Sequence, residues 1–169
     1  LFESEKSMLA FSRKDKKDFS VNNHLQNEKN IPLGPLYLVW NNLKNKQIKL
    51  EGANNWPYQI VGIELTQFSK KFPHMVPASS SPENVMQGFK AFQKYCMTCH
   101  KINGDGGDKG PDLTALPLPE ESWLKKWIDN PASLRQTTMP ALNPNVKNRK
   151  QTIDDIIAYL KAMKPPAKQ

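Results

Sequence analysis

The sequence predicts a mainly α-helical domain over residues 82–169, preceded by an extension, residues 1–81, that carries a few β-strands and no independent core. Three observations lead there. After residue 82 the apolar side chains recur every three or four positions, the period of a helix with one buried face. Before it, the apolar runs are continuous, aromatic and β-branched, as in strands. Between the two lies Ala78-Ser79-Ser80-Ser81-Pro82, small, polar and ended by proline, where a boundary is expected.

Residues 1–30 are mostly polar, with apolar positions too scattered to show a period, so no element is assigned to them. Tyr37–Trp40 (YLVW) and Tyr58–Leu65 (YQIVGIEL), each bounded by proline or glycine, read as strands. Val85, Met86, Phe89, Phe92 and Cys96 mark one face of a first helix, with Ser81-Pro82 as its cap and first-turn proline. Trp123, Leu124, Trp127 and Ile128 mark a short second helix that must stop before Pro131, because proline disfavours a helical residue in front of it. Ile153, Ile156, Ile157, Leu160 and Met163 mark the third, opened by Thr152 with Asp155 three residues on and closed by Pro165-Pro166.

With 169 residues and 38% apolar content, the chain can build a modest core, and a covalently held apolar cofactor would add to it. No stretch approaches the roughly 18–20 consecutive apolar residues of a membrane span, and the first ten residues carry acidic groups, so neither an anchor nor an intact signal peptide is expected. A start at Leu1 fits a mature exported protein after signal removal and fits a trimmed chain equally. The net charge is +8, spread evenly: eleven basic residues against seven acidic before residue 82, thirteen against nine from there on. A diffuse positive surface favours an acidic protein partner by long-range steering. The densest basic run, Arg13–Lys17, is broken by Asp15 and lacks interleaved aromatics, so nucleic acid is not an expected partner.

The chemistry is carried by Cys96-Met97-Thr98-Cys99-His100. CxxCH is the attachment sequence of c-type haem: residues three and four apart share a helix face, so both thiols and the imidazole meet one side of a flat macrocycle. Thioredoxin-type chemistry is disfavoured, because a reactive CxxC opens a helix whereas these cysteines close one. A structural zinc site needs four ligands, and only the distant His24 and His74 could complete it. One covalent haem is therefore expected, its iron held by His100. A six-coordinate electron carrier needs a second axial ligand, often a methionine. Of six methionines, Met139 is chosen because Thr138-Met139-Pro140 is a non-helical stretch between two helices. Met97 is tied inside the attachment sequence, Met86 and Met163 lie on helical stripes, and Met8 and Met75 fall outside the predicted haem domain. His74 is a rival. Gly104-Asp105-Gly106-Gly107 and Gly110-Pro111-Asp112-Leu113 can turn the chain back under His100, with the Pro111 carbonyl as acceptor for its second ring nitrogen. The glycines lack the strand-then-helix context of a phosphate loop, so no nucleotide site is inferred.

Residues 82–165 resemble a class I cytochrome c domain, through Gly88-x3-Phe92 before CxxCH, GPDL at 110–113, Trp127-Ile128-x-Asn130-Pro131, Met139-Pro140-Ala141-Leu142 and Ala158-Tyr159-Leu160. The resemblance implies that fold around one haem, with Cys96 and Cys99 as thioether sites and His100 and Met139 on the iron. It also implies a Pro111 carbonyl bonded to His100, Leu113 in the haem pocket, Trp127 packed at the haem, and a helix crossing in which Gly88 admits Tyr159. In the extension, Gly34–Trp40 and Trp56–Gln59, within residues 34–66, look similar to a late segment of sulfite-oxidase-like molybdopterin proteins. Both cysteines are committed to haem and none remains to ligate molybdenum, so no molybdenum site is inferred.

The expected function is single-electron transfer between redox proteins, with no substrate bound at the iron and no catalytic residue, and with Lys101, Lys109, Lys125 and Lys126 as candidates to rim the docking face. Two other classes stay open. A labile sixth position would make the domain a ligand-binding enzyme or sensor, and an extension that binds a dehydrogenase would make the haem that enzyme's outlet. Covalent haem attachment of this kind is completed outside the cytoplasm, so the periplasm or an equivalent space is expected.

Overall fold

The computed structural model describes residues 6–15, 18–23, 28–41, 43–53, 56–115 and 117–164. His24 and the Pro165-Pro166 stop lie outside the described residues. The chain forms two compact units, residues 1–65 and 66–169.

In the first unit, β1 (Ser7–Ala10) pairs antiparallel with β4 (Tyr37–Trp40), Ser7 opposite Trp40 and Ala10 opposite Tyr37. β2 (Ser20–Asn23) pairs with β3 (Glu28–Pro32). The predicted strand at 37–40 is thus present, and polar residues that showed no period supply three more. The strand expected over 58–65 does not form. Backbone bonds tie Gln59 to Leu33 and Ile60 to Leu36, at 3.0 and 2.9 Å. Gln59, however, sits at φ 56°, a left-handed value that interrupts an extended strand. Val61, Ile63 and Leu65 are then 92, 66 and 98% exposed.

A short helix unforeseen from the sequence, α1 (Lys46–Glu51), starts where the Asn45 side chain accepts a hydrogen bond from the Ile48 amide. Its buried Ile48 packs with Trp40 and Trp56, whose rings lie 5.7 Å apart. The extension, for which no independent core is expected, thus holds a small buried cluster, most of it supplied by two indoles.

The second unit begins at Thr66, so residues 66–81, read from the sequence as the end of the extension, pack with the helices. The reason is apolar. Helix α2 (Phe68–Lys71) and the 3₁₀ turn Pro73–Met75 bring Phe68 to 5.6 Å from Phe89 and bury Met75 completely. The Tyr159 hydroxyl donates to the Met75 carbonyl at 2.6 Å.

Three further helices follow the predicted stripes: α3 (Glu83–Tyr95), α4 (Glu121–Asp129) and α5 (Arg149–Ala162). Val85, Phe89 and Phe92 of α3, Leu124 and Ile128 of α4, and Ile153, Ile156, Ile157, Tyr159 and Leu160 of α5 share one core. The helix starts differ from the expected caps. Pro82 itself is the α3 cap residue, with no side-chain cap bond. Helix α5 opens at Arg149 behind Asn148, which takes the left-handed conformation that asparagine tolerates. Thr152 is therefore inside the helix, its hydroxyl bonded back to the Lys147 and Asn148 carbonyls.

Helices α3 and α5 cross at Gly88. A Cβ built there would lie 1.9 Å from the Asp155 carbonyl oxygen and 2.8 Å from the Tyr159 Cβ, so the crossing is closed by the absence of a side chain. Phe92 and Tyr159, both fully buried, pack beside it with ring centroids 5.4 Å apart.

Candidate haem site

Helix α3 ends at Tyr95, and the chain continues through one more helical turn: the Cys99 and His100 amides both donate to the Cys96 carbonyl, at 3.0 and 2.9 Å. The attachment sequence is thus the frayed end of a helix, and the i, i+3, i+4 geometry expected from the spacing is retained. Burial, and to a smaller extent the neighbouring Cys99, push the Cys96 thiol up to about 12. The direction is opposite to that of an activated CxxC nucleophile, whose thiol is lowered.

The chain then makes a hairpin, β5 (Lys101–Ile102) against β6 (Asp105–Gly106), through Asn103 and Gly104, both at positive φ. An Asn-Gly pair is the ordinary signal for such a turn, and it stood unused in the sequence. From the hairpin the chain doubles back on the attachment sequence. The Gly107 amide donates to the Met97 carbonyl at 2.8 Å and the Gly110 amide to the Cys99 carbonyl at 2.7 Å.

Here the imidazole of His100 is held. Its Nδ1 lies 2.9 Å from the Pro111 carbonyl oxygen. A carbonyl can only accept, so Nδ1 is the donor, and Nε2 is the ring nitrogen left to face a metal. Gly110 lies against the ring: a Cβ there would be 2.5 Å from Cε1 and 2.8 Å from Nδ1. No other residue fits without pushing the imidazole aside.

The Pro111 loop is laced by polar groups that periodicity does not reveal. The Asp112 carboxylate accepts from the Gly104 amide at 2.8 Å and from the Thr114 amide and hydroxyl at 2.9 and 2.5 Å. The hydroxyl of buried Thr114 accepts in turn from the Asn103 amide at 2.7 Å. Burial opposes ionisation of Asp112, but hydrogen bonds from Thr114, Gly104 and Asn103 outweigh it and hold the carboxyl below its ordinary range.

The remaining predicted residues lie as follows. Leu113 is half-buried against the main core, its amide bonded to the Lys101 carbonyl at 3.0 Å. Trp127 is half-buried, stacked on Trp123 at 5.0 Å, with the Arg135 guanidinium 4.6 Å from its ring. Met139 is half-buried on the loop between α4 and α5, its amide bonded to the Thr137 hydroxyl at 3.1 Å. Arg149, which the sequence reading missed, braces that loop from the first turn of α5. Its guanidinium donates to the Leu142 and Asn143 carbonyls and to the carboxylate and carbonyl of Asp129. Met75 is a core residue, and His74 holds Asp105 through its amide at 2.7 Å and faces it with Nδ1 at 3.6 Å. Lys125 bridges Glu121 and Asp154 at 2.8 and 2.9 Å, so its charge is already neutralised within the fold.

The donor set fits a covalently attached haem: two thiols and an imidazole on one helical turn, the imidazole fixed in the metal-binding tautomer, and a loop thioether elsewhere in the same unit. Residues 83–160 match the family model described as cytochrome C oxidase, cbb3-type, subunit III, in keeping with the cytochrome c resemblance of that stretch. No curated protein and no solved structure matches the chain.

Proposed function

From a cytochrome c domain at 83–160, we propose that the protein is a mono-haem electron carrier in which Cys96 and Cys99 hold the haem through thioethers and His100 and Met139 ligate its iron. The observation that carries this reading is the His100 Nδ1 to Pro111 carbonyl contact, 2.9 Å, with Gly110 against the ring. It orients the imidazole and raises its basicity, as the outer partners of metal-bound histidines do. The bound haem would supply a one-electron change between ferric and ferrous iron.

The chain's own residues then do three things. Cys96 and Cys99 would hold the haem through two thioethers, next to the imidazole of His100. Met139, on a loop that Arg149 braces, would offer its thioether to the iron, a ligand that favours the ferrous state. Leu113 and Trp127, both half-buried, would supply apolar surface that keeps water from the iron. With His100 and Met139 both held to the iron, no substrate would bind there, and transfer would need a brief encounter with another redox protein over a small interface. Lys101, Lys109 and Lys126 are the lysines we assign to its rim, and an acidic partner is the one they suit. Among the described residues no helix is long and apolar enough to cross a membrane. We assign the protein to the periplasm or an equivalent exported space, where this haem attachment is completed.

The test is optical. The purified oxidised protein should show the weak near-infrared band of a methionine sulfur on ferric iron, Met139→Ala should remove it, and only the variant should bind carbon monoxide readily. A wild-type protein that lacks the band and binds the gas would overturn the carrier reading in favour of a ligand-binding enzyme or sensor.

A further inference from the structure

We propose that Asp112 is a positioning residue for the iron-binding imidazole: its carboxylate fixes the Pro111 carbonyl that orients His100. The inference rests on the reading of His100 as an iron ligand and goes one step behind it.

The Pro111 carbonyl and the Asp112 amide belong to one planar peptide unit, so whatever immobilises Asp112 sets the direction of the acceptor. Asp112 is immobilised from both sides. Its Oδ2 takes the Gly104 amide at the tip of the β5–β6 hairpin, 2.8 Å away, and its Oδ1 takes the amide and hydroxyl of Thr114, at 2.9 and 2.5 Å. The Asn103 amide anchors the Thr114 hydroxyl at 2.7 Å, and the Asn103 side chain donates to the His74 and Met163 carbonyls, both at 3.2 Å. The carboxylate therefore ties the loop to the hairpin and, through Asn103, to the end of α5. It is suited to this because three donors converge on two oxygens that only accept. An asparagine would keep the shape and turn an NH2 group toward one of those donors.

A slack Pro111 carbonyl makes a weaker hydrogen bond to Nδ1, a less basic imidazole and a less stabilised ferric iron. The midpoint potential should then rise. Asp112→Asn also removes a negative charge, which alone would raise the potential, so the charge-neutral Thr114→Val is the deciding companion.

The full-length holoprotein would be compared as wild type, Asp112→Asn and Thr114→Val. The readouts are deuterium exchange of the His100 ring proton by NMR in the ferrous state, and the midpoint potential. In both variants the ring proton should exchange about tenfold faster, the factor worth one net hydrogen bond, and the potential should move upward. If Asp112→Asn fails to take up haem, Thr114→Val decides alone. Unchanged exchange and potential in a fully haem-loaded Thr114→Val overturn the proposal, even if Asp112→Asn shifts the potential, because that shift is then charge alone. Failure of the underlying reading looks different: wild type without covalent haem, or a haem spectrum that His100→Ala leaves intact.

Discussion

Replacing Gly88 with alanine tests the helix crossing at the centre of the second unit. The added Cβ would lie 1.9 Å from the Asp155 carbonyl oxygen and 2.5 Å from its carbon. An ordinary carbon–oxygen contact is about 3.3 Å, so the helices must part by about 1.4 Å at that point. The obstacle is helix backbone, which cannot swing away as the tip of a long side chain can. Parting α3 from α5 also loosens Phe92 against Tyr159 and pulls at the Tyr159 hydroxyl bond to Met75, all of them buried. Overpacking a core by one methyl costs about 1–3 kcal/mol, and here the lost contacts and strained hydrogen bond add to it, so about 3 kcal/mol or more is expected. In a unit of this size that lowers the thermal midpoint by roughly 10–20 °C. The assay is denaturant and thermal unfolding of the holoprotein followed by far-UV circular dichroism. A variant within about 0.5 kcal/mol of wild type, the range of an ordinary surface substitution, would refute a crossing this close.

Two further outcomes follow from the charged residues. Arg149→Ala removes a guanidinium that holds the Leu142 and Asn143 carbonyls and Asp129, so the Met139 loop should loosen at a cost of about 1.5–3 kcal/mol. The near-infrared methionine band should weaken and carbon monoxide should bind faster than to wild type; an unaltered band would show that the loop needs no brace. Glu121 sits between Lys125 and Lys161, and hydrogen bonds from Lys125 first and Lys161 second lower its carboxyl from 4.5 to about 2. Because the folded-state value is depressed, the stabilisation is present above pH 4.5 and is lost as pH falls from there toward 2. Glu121→Gln should flatten the fall in stability across that window at low salt, and a curve parallel to wild type there would exclude the triad as its source.

The sequence alone determined whatever depends on spacing along the chain. Cysteines three apart with a histidine next to the second can share one turn, and the Cys99 and His100 amides do both bond to the Cys96 carbonyl. The stripes of α3, α4 and α5 were legible because a helix half in water repeats its apolar residues with its own period. Polar strands with one weakly covered face leave little such trace, which is why β1, β2 and β3 escaped notice. The run at 58–65 was misread because β-branched composition speaks for extended backbone, and only a neighbouring strand beyond Ile60 could have made a sheet of it.

Only tertiary structure could decide which distant groups meet. Nothing local to Gly88 announces the Asp155 carbonyl, nor does anything near Asp112 announce the Gly104 amide across the hairpin. Met75 lies in the sequence-predicted extension, yet the Tyr159 hydroxyl, from the far end of the chain, bonds to its carbonyl. In sequence Arg149 is one more basic residue before a helix, whereas its guanidinium lies among the carbonyls of the Met139 loop. These contacts are set by packing between elements far apart in sequence, where neither periodicity nor residue type carries the partner's identity. The sequence alone therefore determined the elements that carry the site, and the tertiary contacts decided how firmly each is held.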